Sequence, residues 1–151
     1  MRISAKADYA VRAAVEMAAA GDEPVKGEKL AEAQDIPLQF LEHILLELKH
    51  ARLVRARRGA RGGYWLAQPP EEITLASVIR AVEGPLANIQ DQAPEQTSYP
   101  GNAEQLSEVW IAVRASLRRV LENVTIADLR DGKIPADVLE LTQDEGARIT
   151  R

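Results

Sequence analysis

The residues most able to form paired strands are gathered in one short stretch, with helical patterns on both sides of it. Leu53 and Val54 open a β-prone run, "RRGARG" follows at 57–62, and "GYWL" at 63–66 supplies a return strand. A glycine-rich turn between two short strands is a β-hairpin, and its tip carries Arg57, Arg58, Gly59, Ala60 and Arg61. Between Lys49 and Arg61 there are six basic residues and no acidic one. Any fold for this chain must therefore hold out one basic hairpin from a helical body.

The helical body is legible from periodicity. Ala10, Ala13, Ala14, Met17 and Ala18 recur at helical spacing, so 4–20 reads as an amphipathic helix ended by Gly21. Its apolar face is mostly alanine, which lets neighbouring helices approach closely. Residues 27–34 form a short helix, and Pro37 opens another that runs to His50. In that helix Leu41, Ile44, Leu45 and Leu48 make a core stripe, leaving Gln39, Glu42, His43, Leu46 and His50 on the other face. Two short helices joined by a tight turn, the second with a polar outer face, make a helix-turn-helix. Thr74 caps a further helix bearing Leu75, Val78, Ile79 and Val82, which Gly84 and Pro85 end.

Beyond that point the pattern changes. Residues 84–102 hold turn formers and little periodicity, and are expected to be a flexible loop. From Ala103 the apolar residues Leu106, Trp110, Val113, Leu117, Val120 and Val124 step alternately by four and three. That is a heptad seam, and a second copy of the same helix is the expected partner, giving a two-fold dimer; packing back on its own domain is the alternative. A short closing helix is expected at 125–130, followed by a polar tail at 132–151.

Composition removes several function classes. The 151 residues include no cysteine, which excludes disulfides, thiolate zinc sites and cysteine-held iron-sulfur clusters. Asp8, Arg12 and Glu16 interrupt the apolar start, and no run is long enough to cross a membrane, so a cytoplasmic protein with no membrane partner is expected. No paired acid-base constellation, metal-ligand spacing or nucleophile elbow stands out, which speaks against an enzyme. The net charge of −4 argues against a polyanion partner until its distribution is considered. Through Glu83 there are twelve basic and twelve acidic residues, and from Gly84 seven and eleven, so the acidity lies in the second half.

A solvated surface charge run, a nucleotide-phosphate loop and a disordered RGG segment compete for the hairpin. The nucleotide motifs need GxxxxGK with Ser or Thr, or GxGxxG opening a helix, whereas these glycines lie between strands. RGG segments sit in low-complexity tracts, whereas Leu53, Val54 and Leu66 frame this one. The order helix, helix-turn-helix, basic hairpin is that of a winged helix. The expected fold is mainly α: a winged helix-turn-helix domain over 1–83 with a two-stranded β wing, the loop 84–102, and a long dimerisation helix with its closing helix over 103–131.

Particular segments carry a resemblance to a known family. "MRISAKADYAVRA" at the start, "LEHILLELKHARLV" in the second helix of the pair, "RGARGGYWLAQPPEEITLASVIRAVEGP" from wing to fourth helix, and "VTIADL" at 124–129 resemble the Rrf2 family of bacterial transcription regulators. The resemblance covers about residues 1–131, and "EVWIAVRASLRRVLENVTIADL" looks closest to the CymR type. It implies a homodimeric repressor on an inverted-repeat, double-stranded DNA operator, with cysteine and sulfur metabolism as the implied pathway. Leu38, Gln39, Glu42 and His43 become candidate base readers, Arg57, Arg58, Gly59, Ala60 and Arg61 the minor-groove wing, and Arg2, Ser4, Lys6, Tyr9 and Lys26 phosphate contacts. Tyr64, Trp65 and Leu66 would anchor the wing strand.

Many relatives hold an iron-sulfur cluster on three cysteines after the "EGP" turn. This chain has Gln90, Asp91, Gln92, Glu104 and Ser107 there, so no metal and no cofactor is expected. Cluster ligation by Asp8, His43 or His50, and a protein-interaction module on the same fold, stay as alternatives. Without a cluster, the resemblance implies control by a small molecule or a protein effector, and the junction near Leu86, Tyr99 and Trp110 is one place for a small molecule.

Overall fold

The computed structural model describes residues 2–150; Met1 and Arg151, at the outer ends of the first and last expected segments, lie outside the described residues. Among the described residues, seven α-helices and one hairpin follow in the order α1 (Ala5–Ala19), α2 (Gly27–Gln34), α3 (Leu38–His50), β1 (Val54–Arg57), β2 (Gly63–Leu66), α4 (Leu75–Glu83), α5 (Leu106–Leu121), α6 (Ile126–Asp131) and α7 (Ala136–Leu141). The mainly helical winged fold expected from the sequence is the one found.

Helix α1 is the centre of the domain, touching α2, α3, α4, α6 and β2. Its alanines explain how: Ala7, Ala10, Ala13, Ala14 and Ala18 are buried with Met17, and small side chains admit neighbours on several sides at once. Ser4 caps α1 by accepting from the Ala7 N–H at 3.0 Å, and its own hydroxyl donates to Glu83 at the end of α4. Leu30, Leu41, Ile44, Leu45, Leu48, Ile73, Val78 and Ile126 fill the rest of the core.

The wing is not a free hairpin. Strands β1 and β2 pair antiparallel with Val54 opposite Leu66 and Arg57 opposite Gly63. Val25, in the turn before α2, adds a third line: its N–H donates to the Tyr64 carbonyl at 2.9 Å and Tyr64 donates back at 2.8 Å. The sequence reading placed no strand residue there.

After α4 the chain keeps a defined course where only loop was expected. Ile89 and Gln92 exchange backbone hydrogen bonds of 2.9 Å, and single turns of 3₁₀ helix form at Pro94–Gln96 and Gly101–Ala103. Pro94 is buried and its turn packs on α5. Helix α5 begins at Leu106, not Ala103, because Pro100 and Gly101 bend the chain into the 3₁₀ turn first.

No described residue of α5 is fully buried; Leu106, Trp110, Val113, Leu117 and Val120 are half-buried. Val124 departs from the expected seam. It lies beyond the end of α5 and is buried at 3% exposure, with its carbonyl accepting from Leu75 N–H at 2.9 Å. The heptad count ran on past the residue where the helix stops. The returning chain pairs Thr125 with Thr74, and Ile126 donates to the Ile73 carbonyl at 2.8 Å. Thr125 and Asp128 form a capping box that starts α6, which packs against α1. The tail, read as polar, contains the short α7.

Candidate nucleic-acid interface

The turn between α2 and α3 is built by Asp35, whose φ of 51° is left-handed, followed by the buried Ile36 and then Pro37. Ile36 nails the turn to the core while Pro37 fixes the backbone entering α3. Helix α3 buries Leu41, Ile44, Leu45 and Leu48, so its opposite side presents Gln39, Glu42, His43, Leu46, Lys49 and His50. Lys49 and His50 also stand at the negative end of the helix dipole.

Of the four candidate base readers, Gln39, Glu42 and His43 are exposed on this face. Leu38 is not placed like them. It is half-buried, packs against the core and lies along α2, close to Gly27, so it seats the start of α3. Phe40, absent from the sequence reading, meets Tyr9 of α1 edge-to-face at 5.6 Å and 85°. Its position off the 41, 44, 45, 48 stripe was the available signal. Tyr9 is thereby engaged between α1 and α3, with the Arg12 guanidinium 4.7 Å from its ring centroid.

Across a groove from α3 stands the wing. Glu42, Leu46 and Lys49 line one wall, and Arg57, Arg58 and Gly59 the other. The tip closes through the Gly62 N–H donating to the Gly59 carbonyl at 3.0 Å and the Arg57 guanidinium donating to the Arg61 carbonyl at 3.1 Å. A side chain at Gly62 would put its Cβ 2.0 Å from the Arg57 carbonyl oxygen, so only glycine fits. Gly59, Ala60, Arg58 and Arg61 are exposed, and among the described residues the two arginine side chains make no hydrogen bond or ion pair. Tyr64 and Leu66 pack on the core as expected, whereas Trp65 points to the other side of the strand pair, 5.9 Å from Arg57.

The five expected phosphate contacts divide. Arg2 is exposed. Ser4 is occupied as a cap, and Lys6 is paired with Glu47 of α3 at 2.8 Å. Lys26 donates to the Gly59 carbonyl and so holds the wing tip to the start of α2; its side chain does not cap α2. The bonds of Lys6 and Lys26 tie α3 to α1 and the wing tip to the start of α2. Sequence alone could not show this, because each partner lies more than thirty residues away.

Ion pairs fix α5 at its middle and at its C-terminal end. Arg114 pairs with Glu95 of the preceding turn, and Arg80 of α4 with Glu122. A backbone hydrogen bond and then Arg114 hold the Glu95 carboxyl below its ordinary range, and Arg80 does the same for Glu122. Arg130 in turn pairs with Asp131 and Glu71, which lowers Asp131 and raises Arg130. A carboxylate held low stabilises the fold above its unfolded pKa, and that contribution is lost as pH falls through its folded one. Glu95→Gln should therefore melt below the parent chain at neutral pH, with the gap closing below about pH 4 in thermal unfolding runs. A gap independent of pH would sink this assignment.

Comparisons with known proteins match this geometry. The family profile Rrf2, described as iron-dependent transcriptional regulator, matches residues 3–132. The HTH-type transcriptional regulator Rv1287 of Mycobacterium tuberculosis is 49% identical over 149 residues, 98% of this chain and 92% of that protein. CymR of Bacillus subtilis is 32% identical over 130 residues, 85% of this chain and 89% of that protein. The structure of CymR, described as the global cysteine regulator of B. subtilis, superposes with a TM-score of 0.73 at 30% identity over 87% of this chain and 98% of that one. IscR of T. potens superposes at 0.69 with 29% identity, over 100% and 93%.

The iron in the family description does not fit the donors present. There is no cysteine in the chain, and among the described residues no three of His, Asp or Glu gather as a metal-binding group. Asp8, His43 and His50 stand apart in this respect, Asp8 being paired with Arg12 at 3.1 Å. On its profile match, its identity to these relatives and its winged fold, the chain belongs to the Rrf2 family of transcriptional regulators.

Proposed function

We propose that this chain is a cytoplasmic, homodimeric repressor that binds an inverted-repeat DNA operator through α3 and the wing. One observation carries the reading: Glu42, Leu46 and Lys49 of the exposed α3 face and Arg57 and Arg58 of the wing line opposite sides of one groove, and among the described residues the side chains of Arg58 and Arg61 make no hydrogen bond or ion pair. A helix face of that kind fits the major groove, with Gln39 matched to adenine and Glu42 to cytosine. Arginines on a glycine tip fit the adjacent minor groove, where narrow width deepens the negative potential. Arg2 adds a phosphate contact, and Lys6 and Lys26 aim the two reading elements.

The half-buried stripe of Leu106, Trp110, Val113, Leu117 and Val120 is the dimer surface. Two wings on a two-fold axis would read half-sites about 34 Å apart or a multiple of that. Control falls to a small-molecule or protein effector, and the CymR likeness makes cysteine and sulfur metabolism the pathway to examine first.

The experiment is fluorescence anisotropy on duplexes from the promoters of its own and neighbouring operons, across a salt series. The expected result is two chains per inverted repeat and an affinity that falls steeply with salt, since neutralised phosphates release counterions. Arg61→Ala should weaken binding and lower the slope of log K against log salt by about one. Affinity indifferent to salt overturns the mechanism.

A further inference from the structure

The DNA-facing side of α3 contains one residue that polar recognition does not account for. Gln39, Glu42, His43, Lys49 and His50 are all polar, yet Leu46 in their midst is 49% exposed and belongs to no part of the core. Phe40, the other exposed apolar residue of this helix, already has an aromatic partner in Tyr9. Leu46 instead faces the groove between α3 and the wing, with Glu42 and Lys49 on either side of it along the helix.

From the geometry we infer that Leu46 is a specificity-determining residue that packs on the C5-methyl of a thymine. This rests on the reading of α3 as the recognition helix. In the major groove the base edges present donors and acceptors and a single apolar group, the thymine methyl. An aliphatic side chain in a row of polar readers is complementary to that group and to no other base feature. Leu46 follows Glu42 by four residues, about 6 Å along the helix axis. Base pairs stack about 3.4 Å apart and a helix in the groove is inclined to the duplex axis, so the thymine lies within about two pairs of the one that Glu42 contacts. Arg57 and Arg58 stand across the groove from Leu46, and removing the leucine side chain and the methyl from water together is what favours the contact.

The test removes the apolar group from each partner in turn. Once a bound duplex is defined by footprinting, each thymine is replaced singly by deoxyuridine, which removes only the methyl. The parent chain should lose about three- to fivefold in affinity at one symmetry-related thymine per half-site, the value of one buried methyl. Leu46→Ala should bind the thymine and deoxyuridine duplexes equally at that position, while Leu46→Met, still apolar, should keep the difference. Because Leu46 is exposed, both variants should melt with the parent, so loss of folding does not confuse the outcome. Equal methyl dependence in the parent and Leu46→Ala, or none at any thymine, overturns the inference while leaving α3 as the reader. Failure of the parent to prefer any duplex over a scrambled one overturns the α3 reading itself, and this inference with it.

Discussion

Gly62→Ala should cripple the wing. The added methyl would meet the Arg57 carbonyl oxygen at 2.0 Å and the Arg58 carbonyl carbon at 2.7 Å, and both are backbone atoms that cannot swing aside. Relief requires breaking the tip, which opens the Gly62 to Gly59 hydrogen bond and the Arg57 contact that depends on it. The expected cost is about 2–4 kcal/mol in chemical denaturation, with at least about a tenfold loss of operator affinity as the arginines lose their aim. Gly59→Ala is the internal control. Its φ of 104° strains any side chain, but no atom lies within 4 Å, so the penalty should be about 1–3 kcal/mol of backbone strain without a clash. A Gly62→Ala chain that melts and binds like the parent would show that the tip is closed differently.

Leu45→Ala should cost the fold several kcal/mol, and truncation of its neighbour almost nothing. Leu45 is fully buried in the cluster where α3 meets α1, whereas Leu46 is 49% exposed. Truncating the first leaves a cavity among side chains that cannot collapse fully, at a cost of about 2–5 kcal/mol. For a chain of this size that is a fall of roughly 5–20 °C in melting temperature. Leu46→Ala should stay within about 0.5 kcal/mol of the parent. Equal losses at both positions would mean that the helix is rotated about its axis from the orientation described, and the reading face would have to be redrawn.

Much of this was legible because the signals are local. The stripe of Leu41, Ile44, Leu45 and Leu48 gives the orientation of α3 directly, and Ser4 and Thr74 are caps whose acceptor atoms lie three residues from their donors. The hairpin follows from a glycine-rich turn between two β-prone stretches, whereas its register, Val54 opposite Leu66, came from the structure. What escaped the sequence is the set of contacts closed by tertiary structure. Lys6 and Lys26 look like free surface cations until Glu47 and the Gly59 carbonyl are brought to them. Leu38 looks like part of the reading face until α2 covers it. Val124 continues the heptad arithmetic of α5, and only the backbone clamp to Leu75 shows that the helix has already ended. Arithmetic on spacing has no term for where a helix stops, whereas a cap or a competing strand contact does.

The paired hydrogen bonds between Val25 and Tyr64 have a mechanical meaning. A two-stranded ribbon alone is pliant and marginally stable. Here the returning strand is gripped on both edges, on one by β1 and on the other by the segment that leads into α2, while Lys26, the very next residue, holds the tip. Torque applied to the wing is thus delivered to the first residues of the helix-turn-helix without a compliant joint between them. The wing and the helix pair are thereby joined as one body, and the spacing between α3 and the wing is set within the single chain.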